Sequence, residues 1–329
     1  MTTGRPFDDI RALTDSMPQA DETARGSVDS VLESFGEGAS LPTLNHLGRN
    51  ADYAKWLAGW QGKSPAVDRP LIAVFAGSHN VARRVSGDDF IAQAQARVKN
   101  MTEGRAAVRG ISTSLQAAFK VFELGIEYPA ADFTSEPSLS EKDCAAAIAF
   151  GMEVVAEGAD IIALGNAGFG SATAAAGIAR GLYGGTADYW AGGQGAAAKS
   201  RIEAVETGAH FHKDLLSDPL QVLRCFGGRD IAGMVGAILA ARHQAIPVIL
   251  DGYVVCAAAA VLHKLDPKSI EHCMAGHVTT EPAHRALLDR IGLIPMLDMG
   301  IGIGDGTGAA FALGALRSTC QALTTLKTA

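Results

Sequence analysis

From Arg69 onward the chain alternates short apolar runs with longer stretches of helical periodicity, and this alternation restricts the fold more than any other feature. A short apolar run bounded by turn residues reads as a strand, and strands joined through helices build βαβ units and a mostly parallel sheet. The expected strands are 71–77, 119–125, 159–164, 246–251, 271–275 and 294–298. Helices are expected near 88–103, 140–157, 171–183, 196–213, 217–225, 229–243, 253–264, 281–291 and 307–325. Ser140, just ahead of Glu141 and Asp143, supplies an N-cap whose side-chain oxygen takes an otherwise unpaired N–H. The glycine-rich segment 184–195 reads as a loop.

Residues 1–62 have helical periodicity without strand-like runs, two tryptophans one turn apart (Trp56 and Trp60) and a Gly/Ser/Pro break near 35–42. They read as a helical cap that packs with the C-terminal helix. The expected division is therefore 1–65 and 306–329 as a smaller helical unit around an α/β domain at 66–305, which a chain of 329 residues accommodates. A formal charge of −7 and a pI near 5.7 exclude a surface built for nucleic acid or an anionic membrane, which needs clustered Lys and Arg. The N-terminus lacks the apolar core of a signal peptide, and the most apolar region, 231–262, is interrupted by Arg242, His243, Pro247 and Asp251. A cytoplasmic protein with a small-molecule ligand is expected. The five cysteines are scattered and lack C-x-x-C spacing, so they indicate neither a disulfide framework nor a zinc site and are expected to pack as small apolar residues.

Two glycine-rich turns are the candidate ligand loops. Gly165, Gly168 and Gly170 lie between a strand-like run and an alanine-rich helix, and the unpaired N–H groups at that helix start, around Ser171 to Thr173, suit an anion. No Gly-Lys-Ser/Thr follows, so this is not a Walker loop, and the spacing is not that of the dinucleotide fingerprint. The second loop spaces Gly300, Gly302, Gly304, Gly306 and Gly308 around a single carboxylate, Asp305. In open α/β sheets ligands sit beyond the carboxyl ends of the strands. That rule gathers both loops with Gly77 to Asn80, Asp251 and His277.

Several segments together resemble the nicotinate-nucleotide:dimethylbenzimidazole phosphoribosyltransferase family. Ala76 to His79 is similar to its A-G-(D/N)-H turn, and Gly165 to Thr173 to its G-E-M-G-I-G-N-T-T loop. Gly227 to Ala232 is similar to G-G-x-(D/E)-I-A, and the segment Pro247 to Gly252 comes next in the family's order. His277 to Arg285 resembles H-x-x-x-E-P-x-H-R, and Leu297 to Ala310 resembles L-D-x-G-x-x-x-G-E-G-S-G-A-A. The likeness is strongest from about 140 to 325 and thinner from 70 to 125. Before that, the N-terminal K-P-x-G-S-L-G is reduced to Leu47-Gly48-Arg49.

The resemblance implies a homodimer with a Rossmann-like parallel sheet and a smaller helical domain made from both chain ends. It also implies transfer of phosphoribosyl from nicotinate mononucleotide to 5,6-dimethylbenzimidazole, without metal or redox cofactor. Asp305 stands where the family places its general base, a glutamate, and is one methylene shorter. Asn166 replaces another family glutamate and is expected to orient substrate or water, since an amide cannot take the proton. Gly168, Gly170, Ser171 and Thr173 would hold the phosphate, with Lys199 as its cation, although Ala172 replaces the first loop threonine. Gly227 and Gly228 would let backbone approach the ribose or phosphate. Ser86 and Gln95 resemble positions lining the benzimidazole pocket, and His79, Asp251 and Gly304 complete the expected substrate contacts. The alternative is a catalytically impaired relative that binds a nucleotide, benzimidazole or α-ribazole as sensor or carrier, an idea that Asn166 and the reduced N-terminal motif favour.

Overall fold

The structure, a computed structural model, describes residues 5–36, 47–193 and 195–328. Of the reduced N-terminal motif, Leu47 to Arg49 are described and the residues just before them are not.

Three helices come first: α1 (Asp8–Thr14), α2 (Glu22–Gly36) and α3 (Asn50–Gln61). Strand β1 (Pro70–Ala76) is followed by α4 (Arg83–Ser86), α5 (Phe90–Thr102), α6 (Ala107–Ser114) and β2 (Ala118–Glu123). Helix α7 (Glu141–Gly151) leads to β3 (Ile161–Asn166). Between β3 and β4 (Val248–Asp251) lie α8 (Ser171–Tyr183), α9 (Ala187–Ala191), α10 (Gly195–Phe211), α11 (Pro219–Phe226) and α12 (Arg229–His243). Helix α13 (Gly252–Leu265) connects to β5 (Cys273–His277), and α14 (Pro282–Arg290) and α15 (Thr307–Thr328) end the chain.

Among the described residues five strands pair in the order β2-β1-β3-β4-β5, all parallel. Every residue of β1, β3 and β4 is buried, as a strand with helices over both faces requires, whereas the edge strand β2 alternates. This order reverses direction between β1 and β3, and the loops leaving those two strands flank the crevice where doubly wound folds bind ligands. The apolar runs expected as strands thus form the sheet, with one exception. Segment 294–298 makes a single parallel bridge, Leu297 to His277, where Pro295 offers no N–H for a longer ladder. Helix α9 also interrupts the segment read as a loop, and α6 fills the connection between α5 and β2.

Local signals account for several boundaries. Ser140 Oγ accepts the Asp143 N–H at 3.0 Å, the expected N-cap of α7. Asp218 does the same for Leu220 at 3.1 Å, with Pro219 at the first helical position. Ala24 and Val28 of α2 pack with Ala54 and Ala58 of α3 and Leu323 of α15, joining the two ends of the chain. Helix α1 packs elsewhere: Phe7 and Ile10 enter the large core and Arg11 pairs with Asp218 at 2.6 Å. Trp56 and Trp60 are buried, and both indole N–H groups donate to the Glu271 carbonyl, at 3.1 and 3.0 Å. All five cysteines are free and buried. Among the described residues, no helix is long and apolar enough to cross a membrane.

Candidate active site

The loops leaving β1 and β3 are zipped together at the point where the sheet reverses direction. Phe169 N–H donates to Gly77 O at 3.0 Å and His79 N–H to Phe169 O at 3.1 Å. Beneath them, Asp230 projects from the first turn of α12 with no exposed surface. Its Oδ1 lies 3.0 Å from His79 Nε2, while Oδ2 accepts the Asn166 amide at 2.8 Å and the Ser171 hydroxyl at 2.7 Å. Burial alone would raise this carboxyl. The field and hydrogen bond of His79, with the bonds from Asn166 and Ser171, instead pull it down to about 2, so it stands ionised as the anchor of the loop.

Asn166 joins the two glycine loops. Its Oδ1 accepts the Gly168 N–H at 3.1 Å, and its own N–H donates to Gly304 O at 2.7 Å. Gly165 permits this approach, because a Cβ there would lie 2.4 Å from the Gly306 nitrogen. The second loop is held from below by Asp251, which accepts the N–H groups of Gly306 and Ala309 and lies 2.8 Å from His277 Nε2. Burial pushes the Asp251 carboxyl up, against the effects of His277 and the two amides. His284 steadies the neighbouring turn: its Nδ1 accepts the Thr279 N–H at 2.9 Å, and burial lowers the imidazole to about 3, keeping it neutral.

Asp305 caps α15. Its Oδ1 accepts the N–H and hydroxyl of Thr307, at 3.1 and 2.6 Å, while Oδ2 takes no hydrogen bond among the described residues. The side chain is 6% exposed and lines the cleft above the sheet. That cleft has two lobes. The glycine-loop lobe, about 300 Å³, runs past Asn166, Gly168, Ser171, Tyr253, Thr279 and Gly304. The Asp305 lobe, about 380 Å³, is walled by Gln93, Ala96, Asn100, Met101, Ala106 and Ile303. Arg97 and Ile303 border both. At the start of α8, the N–H groups of Ser171 and Ala172 have no backbone acceptor among the described residues and stand at the first lobe.

The cleft therefore assembles Asp305, Asn166, Gly168, Ser171 and Gly304 from the residues expected by sequence. Others fall outside its lining. Lys199 is on the solvent face of α10, its side chain 79% exposed and 3.8 Å from Glu203. Gln95 points away from the cleft, since two residues along α5 is about 200° of rotation from Gln93, which does line it. Ser86 is exposed at the end of α4. Thr173 is buried with its N–H on Gly170 O, and Gly170 makes the turn into α8 with φ +88°. Gly227 packs on Leu223, and a Cβ at Gly228 would lie 2.4 Å from His79 Cε1, so both serve internal packing. His79 and Asp251 are buried and hold loops rather than facing the cleft.

In the sequence Asp230 is visible only as the acid of a Gly-Gly-x-Asp helix start. The stripe Gln93, Arg97, Asn100 on α5, absent from the expected site, has the i, i+4, i+7 spacing of a polar helix face.

A doubly wound sheet with an amide-lined helix start and a half-free carboxylate at a cleft suits an anionic small molecule. A family profile described as "Phosphoribosyltransferase" matches residues 39–329. The nicotinate-nucleotide–dimethylbenzimidazole phosphoribosyltransferase of Sinorhizobium medicae is 46% identical over 96% of this chain and 93% of its own. The protein of the same name from Allorhizobium ampelinum is 44% identical over 99% and 96%. Among solved structures, the enzyme of that name from Thermus thermophilus superposes with a TM-score of 0.80 at 27% identity, covering 91% of this chain and 96% of that one. The chain belongs to the nicotinate-nucleotide–dimethylbenzimidazole phosphoribosyltransferase family.

Proposed function

We propose that this enzyme transfers the phosphoribosyl group of nicotinate mononucleotide to 5,6-dimethylbenzimidazole, giving α-ribazole 5′-phosphate and nicotinate. A neutral benzimidazole nitrogen attacks C1′ as the C1′–pyridinium bond breaks, and that bonding pair leaves on the pyridine nitrogen, which becomes neutral. The other benzimidazole nitrogen gives its proton to Asp305 Oδ2. The phosphate sits at the start of α8, where the Ser171 and Ala172 amides and the helix dipole favour an anion. Asn166, with both ends of its amide engaged, positions the two loops rather than taking part in proton transfer.

The observation that carries this reading is Asp305: an acid in the wall of a lobe large enough for a bicyclic base, with one oxygen fixed by Thr307 and the other without a hydrogen bond among the described residues. The homology supports the substrate pair, which the relatives' names state. On this reading the enzyme works as a homodimer in the cytoplasm, and light scattering of the purified protein tests the assembly.

The test of the reaction is an end-point assay with nicotinate mononucleotide and dimethylbenzimidazole, reading α-ribazole phosphate and nicotinate by mass spectrometry, alongside Asp305→Asn. Product from wild type and little from the variant supports the assignment. No product with benzimidazole or purine acceptors, but calorimetric binding of the nucleotide, replaces it with a carrier or sensor.

A further inference from the structure

Among the described residues, Arg97 is the one cation whose side chain lines either lobe, and the reaction as written gives it no task. Its guanidinium lies 5.4 Å from the centre of the Phe169 ring, and Nη1 donates a long hydrogen bond, 3.3 Å, to Gly168 O. That is its only hydrogen bond among the described residues, and no carboxylate there forms an ion pair with it. Asp305 acts on it only through its field. A guanidinium carries five N–H donors in a rigid fork. The other four make no hydrogen bond among the described residues and, on an exposed residue, are open to solvent in the cleft, while desolvation of part of the group lowers its pKa. A cation held over an aromatic face with most of its donors unspent is suited to an oxyanion.

Two oxyanions of a pyridine mononucleotide could meet it, the 5′-phosphate and the pyridine carboxylate. Geometry favours the phosphate. Gly168, which Arg97 holds, leads directly into α8, and the Ser171 and Ala172 amides border the same lobe as the guanidinium. A phosphate has three terminal oxygens, enough to accept from the helix start on one side and the fork on the other. Lys199, the other cation considered for this task, lies outside the cleft.

We propose that Arg97 receives the 5′-phosphate of the donor together with the first amides of α8, and so sets the preference for nucleotide over nucleoside. The inference rests on the proposed donor for the identity of the nucleotide, but its test does not require turnover.

Calorimetry and steady-state kinetics would compare nicotinate mononucleotide, nicotinate riboside and nicotinamide mononucleotide on wild type, Arg97→Gln and Arg97→Lys. Thermal melts with inorganic phosphate would follow the same proteins. A hydrogen bond to a charged group contributes about 1.5–3 kcal/mol, so Arg97→Gln is expected to weaken mononucleotide binding on the order of 10- to 100-fold. Riboside binding stays as in wild type, the lysine variant recovers part of the loss, and phosphate raises the melting temperature of wild type but not of Arg97→Gln.

Equal losses for mononucleotide and riboside overturn the proposal, as does no loss for either. It is also overturned if Arg97→Gln erases the distinction between nicotinate and nicotinamide mononucleotides while phosphate dependence survives, which moves the contact to the carboxylate. Wild type that binds the mononucleotide but forms no product rejects the transferase reading and leaves the Arg97 comparison intact. Wild type that responds to neither mononucleotide nor phosphate rejects the Arg97 assignment.

Discussion

Replacing Asp230 by Asn changes one atom and removes the charge on which the glycine loop is assembled. The native carboxylate accepts from His79, Asn166 and Ser171 and donates to nothing. An asparagine there turns one acceptor oxygen into an NH₂ that must face at least one of these donors. Two routes give the size of the effect. The fall of the carboxyl from its usual 3.8 to about 2 corresponds, at about 1.4 kcal/mol per tenfold change in proton affinity, to folding stability on the order of 2–3 kcal/mol at neutral pH. Breaking a buried ionic contact by removing one partner costs about 3–5 kcal/mol, because the remaining groups stay desolvated. Asp230→Asn is therefore expected to lose about 2–5 kcal/mol, a fall in melting temperature on the order of 3–7 °C for a chain of 329 residues.

The pH dependence carries its own sign. The folded carboxyl titrates below the unfolded one, so its stabilisation is complete above pH ~4 and is lost as pH falls through about 2. Asp251 works the opposite way, since burial raises its carboxyl. The quantity to measure is thus the difference between wild type and Asp230→Asn, by urea denaturation at pH 7, 4, 3 and 2.5. The gap should be widest at pH 7 and shrink across the lowest points. A variant within 1 kcal/mol of wild type at pH 7, or a gap that does not change with acid, would refute the assignment of Asp230 as an ionised anchor.

Asp305→Asn should leave the melting temperature within 1–2 °C of wild type, because the amide oxygen can accept the same two Thr307 bonds, while lowering kcat at least 100-fold on the proposed mechanism. Asp305→Ala should lose both activity and, with its bonds to Thr307, about 1 kcal/mol of stability, and denaturant titration separates the two variants. Gly165→Ala places a methyl 2.4 Å from the Gly306 nitrogen and should push the two loops apart; a displacement of about 1 Å costs on the order of 10²-fold in kcat/KM. Lys199→Ala, on an exposed helix face, should keep kcat/KM for the mononucleotide within twofold of wild type, and a tenfold fall would return that lysine to the site.

The sheet was legible because each interior strand is a continuous apolar run, and burial on both faces demands one. Segment 294–298 has apolar residues too, but Pro295 interrupts its donors and none of its residues is buried, so it makes a single bridge and not a strand. The glycine loops were legible for a related reason: Gly165 and Gly168 lie where Cβ atoms would collide with Gly306 and with Asp230 and Ser171. Less could be read about which side chains face the cleft. Gln93 and Gln95 are indistinguishable in composition, and only the rotation of α5 decides between them. Glycine motifs likewise show that backbone must come close to something without saying to what. At Gly165 the neighbour is the other ligand loop, whereas at Gly228 it is the underside of His79.

An amide at position 166 is compatible with a working site. Position 166 must donate to Asp230 on one side and accept from Gly168 on the other, and an amide does both with one side chain. A carboxylate of the same length would meet the Asp230 oxygen at the 2.8 Å now spanned by a hydrogen bond, and two like charges at that separation in a buried site cannot both stay ionised. With Asp230 ionised and position 166 neutral, neither competes for a proton. Among the described residues, the remaining acids at the cleft lining are Glu281, which lies 3.2 Å from Arg201, and Asp305, which keeps one oxygen open. Proton acceptance in the proposed reaction thus falls on Asp305 through the bonding of its neighbours as well as through its own position.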